Sequence, residues 1–499
     1  MARIRLSPGA AGARISPLIY GHFAEHLGAC IYGGIWVGED SSIPNTGGIR
    51  NDVVAALRRA RPSVLRWPGG CFADDYHWAD GTGPRERRPR RVNIWWDGVV
   101  ETNEFGTNEF VRLCRAIGAE PYVCGNVGSG QVRELRDWVE YCNHPGGTTL
   151  ADARAAGGSP EPLRVRYWGV GNENWGCGGS FTPEDYCTEY RRFATFVRPF
   201  GDTHPFRIAC GPAGNDAEWT RRFFEKLFRD FWRGPGIEGF AAHYYCGSAG
   251  ADVEFTRDQW YEQLRKARYM EQVVVDQRAV MDEYDPERKI ALVVDEWGAW
   301  HHVPAQAGRP LLFQQNTMRD ALVAALTLDI FNRHADAVLM ANIAQMVNVL
   351  QALVLTDGPR MAVTPTCHVY AMYADHQGGL SVPMQVEADT VAFEAEGQRQ
   401  ELFRLAGSAS LAGETLTVTL THTHASEALE VEVALQGGAR VAEGRAEVLA
   451  HDDVHAHNTF EEPEAVTPRR MNWKCRGGSS FAVRLEAASV TKLTLQLAQ

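Results

Sequence analysis

Over roughly the first three quarters of the chain, short apolar runs alternate with longer stretches whose apolar positions recur at helical spacing. The short runs predict strands at Ile15 to Phe23, Ser63 to Trp67, Pro121 to Cys124, Val165 to Val170, Arg207 to Cys210, Gly239 to Cys246, Lys289 to Asp295 and Ala337 to Asn348. Helical patterns fall at Asp52 to Arg61, Asn108 to Ile117, Gln131 to Cys142, Asp216 to Trp232, Asp258 to Glu283 and Leu311 to Arg333. Another helix starts at Thr182-Pro183-Glu184-Asp185, where Thr caps, Pro suits the first helical position and the acids suit the positive end of the dipole. Eight strands with helices between most of them predict an α/β (β/α)8 barrel, whose active site lies at the C-terminal ends of the strands.

From Gly378 the pattern changes to short alternating strands: Leu380 to Val386, Thr390 to Glu394, Glu401 to Arg404, Thr415 to His422, Leu429 to Leu435, Ala439 to Leu449, Ser480 to Glu486 and Val490 to Leu497. With helix signals sparse, this part reads as an all-β, jelly-roll-like sandwich. An N-terminal strand, Arg3 to Leu6, is expected to join it. The division is therefore a barrel over 12–375 and a sandwich made of 1–11 plus 376–499.

A chain of 499 residues is long enough for a large barrel and a second module. Its net charge of −12 argues against general binding to nucleic acid or anionic membranes. No apolar run approaches the roughly 18 residues of a membrane span, and the first residues, MARIRLSPGAAGARISP, lack the apolar core of a signal peptide. The 11 cysteines are odd in number and dispersed, so buried thiols in a reducing cytoplasm are expected, not a disulfide framework. Neither CxxC nor HExxH occurs, and His22 and His26 lie in a Gly-rich loop context, so no metal or cofactor is expected. The basic run Arg85 to Arg91 reads as a solvated or subunit-pairing loop. The histidine clusters at 422/424 and 451/455/457 read as exposed turn residues.

The polar residues gather at predicted strand ends: Glu25, Cys71, Asn126, Glu173, His243, Tyr245, Glu296 and Gln345. YWGVGNENWG (167–176) carries an apolar strand into Asn172, Glu173 and Asn174, and ALVVDEWGAW (291–300) does the same with Asp295 and Glu296. A lone strand-end Glu serves equally as a cap or an ion-pair partner. Two of them across one sugar site are the minimal equipment for glycoside hydrolysis. Glu296 is expected to be the ionised nucleophile. Glu173 is expected to protonate the leaving oxygen from an environment where burial raises its pKa. Once Glu296 is esterified its charge is gone, and Glu173 turns to deprotonating water. Asn172 is placed to bond a sugar hydroxyl, Tyr245 to orient the nucleophile or to fill core, and Glu25 to hold hydroxyls. Gln345 and Asn348 are buried amides in need of partners. Cys71 reads as a small buried residue.

The motifs GHFAEHLG (21–28), RWPGGCFADDYHW (66–78), GNEN (171–174), HYY (243–245), DEWG (295–298), AQMVNV (344–349) and HAHNTFEEP (455–463) resemble those of the α-L-arabinofuranosidases of glycoside hydrolase family 51. The resemblance spans both modules. It implies retaining hydrolysis of terminal α-L-arabinofuranosyl residues, with Glu173 as acid/base, Glu296 as nucleophile, and Glu25, Asn172, Tyr245 and Gln345 in the arabinose pocket. Cys71 stands where many members carry Asn, which alters one sugar contact. It also implies a cofactor-free, intracellular homo-oligomer, often a hexamer, acting on arabinofuranosyl oligosaccharides. Retaining endo-β-glucanase or β-xylosidase activity on the same scaffold, and a non-catalytic carbohydrate-binding protein, are the alternatives.

Overall fold

The structure, a computed structural model, describes residues 2–230, 236–303, 308–475 and 477–498. Eight parallel strands close into a barrel: Gly21–Phe23, Val64–Trp67, Glu120–Gly125, Tyr167–Val170, Phe206–Ala209, Gly239–Tyr245, Ala291–Gly298 and Val338–Ala344. Each pairs with its neighbours in chain order, and the eighth closes on the first through Asn342↔Gly21 and Ala344↔Phe23. Gly21 is required there, because a Cβ would sit 2.2 Å from Asn342 Oδ1 and 2.7 Å from the Ala341 carbonyl. The expected (β/α)8 barrel is thus present.

The second module packs a four-stranded sheet on a six-stranded one. The N-terminal strand Ala2–Leu6 lies inside the four-stranded sheet, parallel to Leu429–Leu435 and antiparallel to Met384–Glu387. Alternate residues of the two sheets, such as Ile4, Val431, Val418 and Leu493, form one apolar core between them.

The other face of the six-stranded sheet covers the helix Met318–Arg333, which is buried along almost its whole length. A helix buried on every side needs polar partners wherever it carries a polar group. Asp329 accepts hydrogen bonds from Ser408 (2.7 Å), Thr419 (2.8 Å) and Thr421 (3.0 Å), which ties the barrel to the sandwich. Burial pushes its carboxyl up to about 6, although these bonds oppose the rise.

Several elements differ from the expectation. The helix predicted from Leu311 starts at Met318, where Thr317 and Asp320 form a capping box. The long helical region after Asp258 is two helices, Arg257–Arg268 and Met270–Tyr284, joined at Tyr269. The predicted strand Leu380 to Val386 divides at Val382-Pro383 into pieces in different sheets, since proline has no N–H to give a ladder. The strand Arg469–Cys475 and the helix Pro365–Tyr373 carried no recognised pattern. The helix Ala217–Asp230 forms as expected, but its predicted end at Trp232 lies outside the described residues.

Candidate active site

Inward-facing barrel residues come at every second position. Near the N-terminal ends, Val64, Tyr122, Tyr167, Ile208, Ala241, Val293 and Met340 form a sealed apolar plug. Two residues further along these strands stand Arg66, Cys124, His243, Asp295 and Asn342. The barrel thus changes from apolar to charged within one layer, and the charged layer is the floor of the site.

Arg66 is the hub of that floor. Fully buried, it donates from Nη1 to Glu296 Oε1 (2.7 Å) and from Nη2 to Asn172 Oδ1 (2.6 Å), and its Nε lies 3.7 Å from Asp295 Oδ2. A buried guanidinium requires such partners. Asp295 also accepts from Tyr122 (2.7 Å) and Asn342 (3.3 Å). Both Asp295 and Glu296 reach Arg66 because the strand register shifts on both sides of them. The strand expected to end at Asp295 continues through Glu296 to Gly298.

Glu296 Oε2 accepts from the Tyr245 hydroxyl at 2.8 Å. Burial drives the Glu296 carboxyl up, but His243, Arg66 and the Tyr245 bond outweigh it and hold the group below its ordinary value. His243 Nδ1 pairs with Glu173 Oε1 at 2.9 Å and lies 3.8 Å from Glu296 Oε2. Burial works against charge on this imidazole, yet the two carboxylates prevail and its pKa is raised. One oxygen from each glutamate and the histidine nitrogen all fall within 4.8 Å of one another.

Glu173 sits at φ 42°, in the left-handed region, and its carbonyl accepts from the N–H groups of Gly176 (2.7 Å) and Gly178 (3.2 Å). This tight turn lifts the side chain into the pocket with 20% of it exposed. The more deeply buried carboxyls are instead Glu25 and Asp74, each pushed up to about 7 by burial. Glu25 Oε1 accepts from Gly70 N (2.9 Å), Phe72 N (3.2 Å) and Trp96 Nε1 (3.0 Å), and its Oε2 from Gln345 Nε2 (2.9 Å). Gln345 Oε1 is buried with no partner among the described residues. The strand predicted to run to Asn348 ends at Ala344, and Gln345 follows across a cis peptide bond. Asn348 bonds Ala29 and Thr356, away from these carboxylates.

Cys71 corrects the cysteine expectation. It is bonded to Cys177, four residues beyond Glu173, while the other nine cysteines are buried and form no disulfide among the described residues. The two partners lie 106 residues apart in sequence, which is why their spacing gave no signal. Asp74 joins the same two loops by accepting from the backbone of Asn172 (2.8 Å), and ties in the loop after the third barrel strand by accepting from Val127 (2.7 Å) and Gly128 (2.9 Å). Asn126 supports its own loop by accepting from Ser129 and Gly130.

The structure therefore brings Glu25, Cys71, Asn172, Glu173, Tyr245, Glu296 and Gln345 to one end of the barrel. Sequence reasoning missed Arg66, the bridging place of His243, Trp96, Asp74 and Cys177. Arg66 had a signal, a charge inside the apolar strand VLRW. In the basic run, expected to be a solvated or subunit-pairing loop, Arg87, Arg90 and Arg91 are exposed, while Arg85 and Arg88 pair with Glu39 and Glu109. His422 and His424 are buried and stacked rather than exposed. Among the described residues, no helix is long and apolar enough to cross a membrane.

Residues 56–246 match the α-L-arabinofuranosidase 1 domain and residues 295–489 the α-L-arabinofuranosidase C-terminal domain. An intracellular exo-α-L-arabinofuranosidase from Bacteroides ovatus is 41% identical over 483 residues, 96% of this chain and 92% of that protein. The crystal structure of a GH51 arabinofuranosidase from Xanthomonas axonopodis pv. citri superposes with a TM-score of 0.94 at 40% identity, over 99% of both chains. An α-L-arabinofuranosidase from Thermotoga maritima, solved as an arabinose complex, gives 0.87 at 30% identity, over 99% of this chain and all of that one.

Proposed function

The chain belongs to the α-L-arabinofuranosidases of glycoside hydrolase family 51, and on that premise we propose that it removes terminal non-reducing α-L-arabinofuranosyl residues from oligosaccharides such as those of arabinoxylan and arabinan, by double displacement. The observation that carries the mechanism is the asymmetric pair of glutamates. An oxygen of each lies within 4.8 Å of one on the other, a closeness that supports the retaining arrangement, in which the carboxyl groups stand about 5–5.5 Å apart.

Glu296 is the nucleophile. Arg66 and Tyr245 each occupy one of its oxygens and favour its ionised form. It attacks the anomeric carbon and becomes an ester. Glu173, on the more exposed turn, gives its proton to the leaving oxygen, then takes one from the water that cleaves the ester. His243 holds Glu173 in reach, and the two carboxylates favour its protonated form against the effect of burial. Glu25 Oε2 and the unpartnered Gln345 Oε1 are placed for sugar hydroxyls. Asn172, held by Arg66 and Asp74, and the disulfide sulfur of Cys71 complete the wall.

We also read the chain as two units, a barrel over 12–375 and a sandwich of 1–11 plus 376–499, and the enzyme as a cytoplasmic homo-oligomer, a hexamer by family resemblance. Light scattering on the eluting species tests the subunit number.

The test of function is p-nitrophenol release from α-L-arabinofuranoside, β-xyloside and β-glucoside substrates. Release from the arabinofuranoside, its loss in Glu296→Ala, and its rescue by azide in Glu173→Ala are the expected results. Release from the β-linked substrates alone would overturn the substrate, and rescue by azide in neither variant would overturn the roles.

A further inference from the structure

We propose that Cys71 and Cys177, once reduced, form with Glu173 a binding site for a thiophilic divalent cation, and that its occupancy silences the enzyme. The two sulfurs and one oxygen of Glu173 lie within 4.8 Å of one another. A tetrahedral zinc-like ion holds sulfur at about 2.3 Å and oxygen at about 2.0–2.2 Å, so its ligand atoms stand roughly 3.5–3.8 Å apart. The Cα atoms of the two cysteines stand 5.5 Å apart, so once the bond is open their side chains can turn to that spacing. Glu173 divides its oxygens suitably: Oε1 pairs with His243, while Oε2 lies 3.8 Å from Cys177 Sγ. A cation on the sulfur side takes Oε2 and leaves the histidine pair in place. All three residues are partly exposed, which lets the ion enter and water complete its coordination.

The site does not depend on the disulfide for its shape. Asp74, three residues after Cys71, bonds the backbone N–H of Asn172 and so joins the same two loops. The turn after Glu173 is closed by the Gly176 and Gly178 N–H groups and by Asn174 Nδ2, which donates to the Gly178 carbonyl at 2.7 Å. The thiols therefore stay adjacent when the bond opens. Two thiolates and a carboxylate favour zinc or cadmium over magnesium.

The chemistry balances. A dithiol reductant gives two electrons and two protons, the S–S bond breaks, two thiols form, and the reductant closes to its own disulfide. On metal binding each thiol releases its proton to solvent. A carboxylate coordinated to the ion cannot carry the proton that the leaving group needs. The silencing rests on the acid/base reading of Glu173; the binding does not.

The experiment uses the full chain. Oxidised protein should show nine thiols in denaturant and reduced protein eleven. Each is desalted without oxygen and titrated with cadmium chloride, following the ultraviolet thiolate-to-cadmium absorption and arabinofuranosidase activity. The reduced protein should bind one cadmium per chain and lose activity in parallel, at a cadmium concentration at least about tenfold below that for the oxidised protein. A chelator should reverse both. Cys177→Ser, compared with its own metal-free activity, should show neither effect. Protein isolated with all thiols free enters the same titration directly. No absorption change in the reduced protein, the same change in Cys177→Ser, or full binding with full activity would each overturn the proposal. A failure of the acid/base reading would show instead in the azide experiment and leave the absorption titration as it is.

Discussion

Tyr245→Phe removes one hydroxyl, the donor to Glu296 Oε2 at 2.8 Å, and leaves Arg66 on Oε1. The ring keeps its edge contact with Trp300, at 5.3 Å between centroids, so the loss is that of a hydrogen bond and not of packing. A bond to an ionised group contributes about 1.5–3 kcal/mol. Its loss takes away one of the groups that hold the Glu296 carboxyl below its ordinary value, so that pKa rises. The sign follows from the charge state. The bond favours the carboxylate, so without it the proton is held more tightly, and the nucleophile stays protonated to higher pH. The acid limb of kcat/KM should therefore move to higher pH. The basic limb, which reports loss of the proton from the general acid, should hold its position. The measurement is the pH dependence of kcat/KM on p-nitrophenyl α-L-arabinofuranoside for both proteins. An unmoved acid limb with a lowered plateau would refute the reasoning. Tyr245 would then act on the sugar, and Arg66 and His243 alone would hold Glu296 ionised.

Gly70→Ala places a Cβ 3.0 Å from Glu296 Oε1 and 3.5 Å from Glu25 Oε1. It should cost most of the activity while thermal unfolding stays near wild type, and full activity would show that the turn has room to spare. Arg66→Met leaves Glu296, Asn172 and Asp295 around an uncharged stem, and breaking a buried pair costs about 3–5 kcal/mol. Urea unfolding monitored by tryptophan emission should show that loss, and unchanged stability would mean the acids take up protons at little cost. Asp329 has a folded-state pKa of about 6 against an ordinary 3.8, so the folded protein binds the proton more tightly. Stability should then fall by roughly 3 kcal/mol as pH rises from about 4 to about 6. Asp329→Asn should flatten that slope in unfolding curves, and a slope unchanged by the substitution would place its origin elsewhere.

The barrel was legible because each strand is a short apolar run ending where the chain turns polar, and the loops after those ends carry the chemistry. That pattern places Glu25, Glu173, Tyr245, Glu296 and Gln345 near one another without any knowledge of contacts. It does not tell which of them touch. Asp295 and Glu296 are neighbours in the chain and should face opposite ways on a regular strand, yet the register shift turns both toward Arg66. The Cys71–Cys177 bond was illegible for a related reason: two of eleven dispersed cysteines meet only when the loops after the second and fourth barrel strands converge. Arg66 lies between these cases. The strand VLRW announces a buried guanidinium, and a buried guanidinium demands anions. Its partners come from the fourth and seventh barrel strands and the turns that follow them. The demand is written locally, and closure of the barrel supplies what meets it. That division explains why the roles of the two glutamates, and Tyr245 beside one of them, could be proposed from sequence, while Arg66 and His243, which also hold that glutamate ionised, could not.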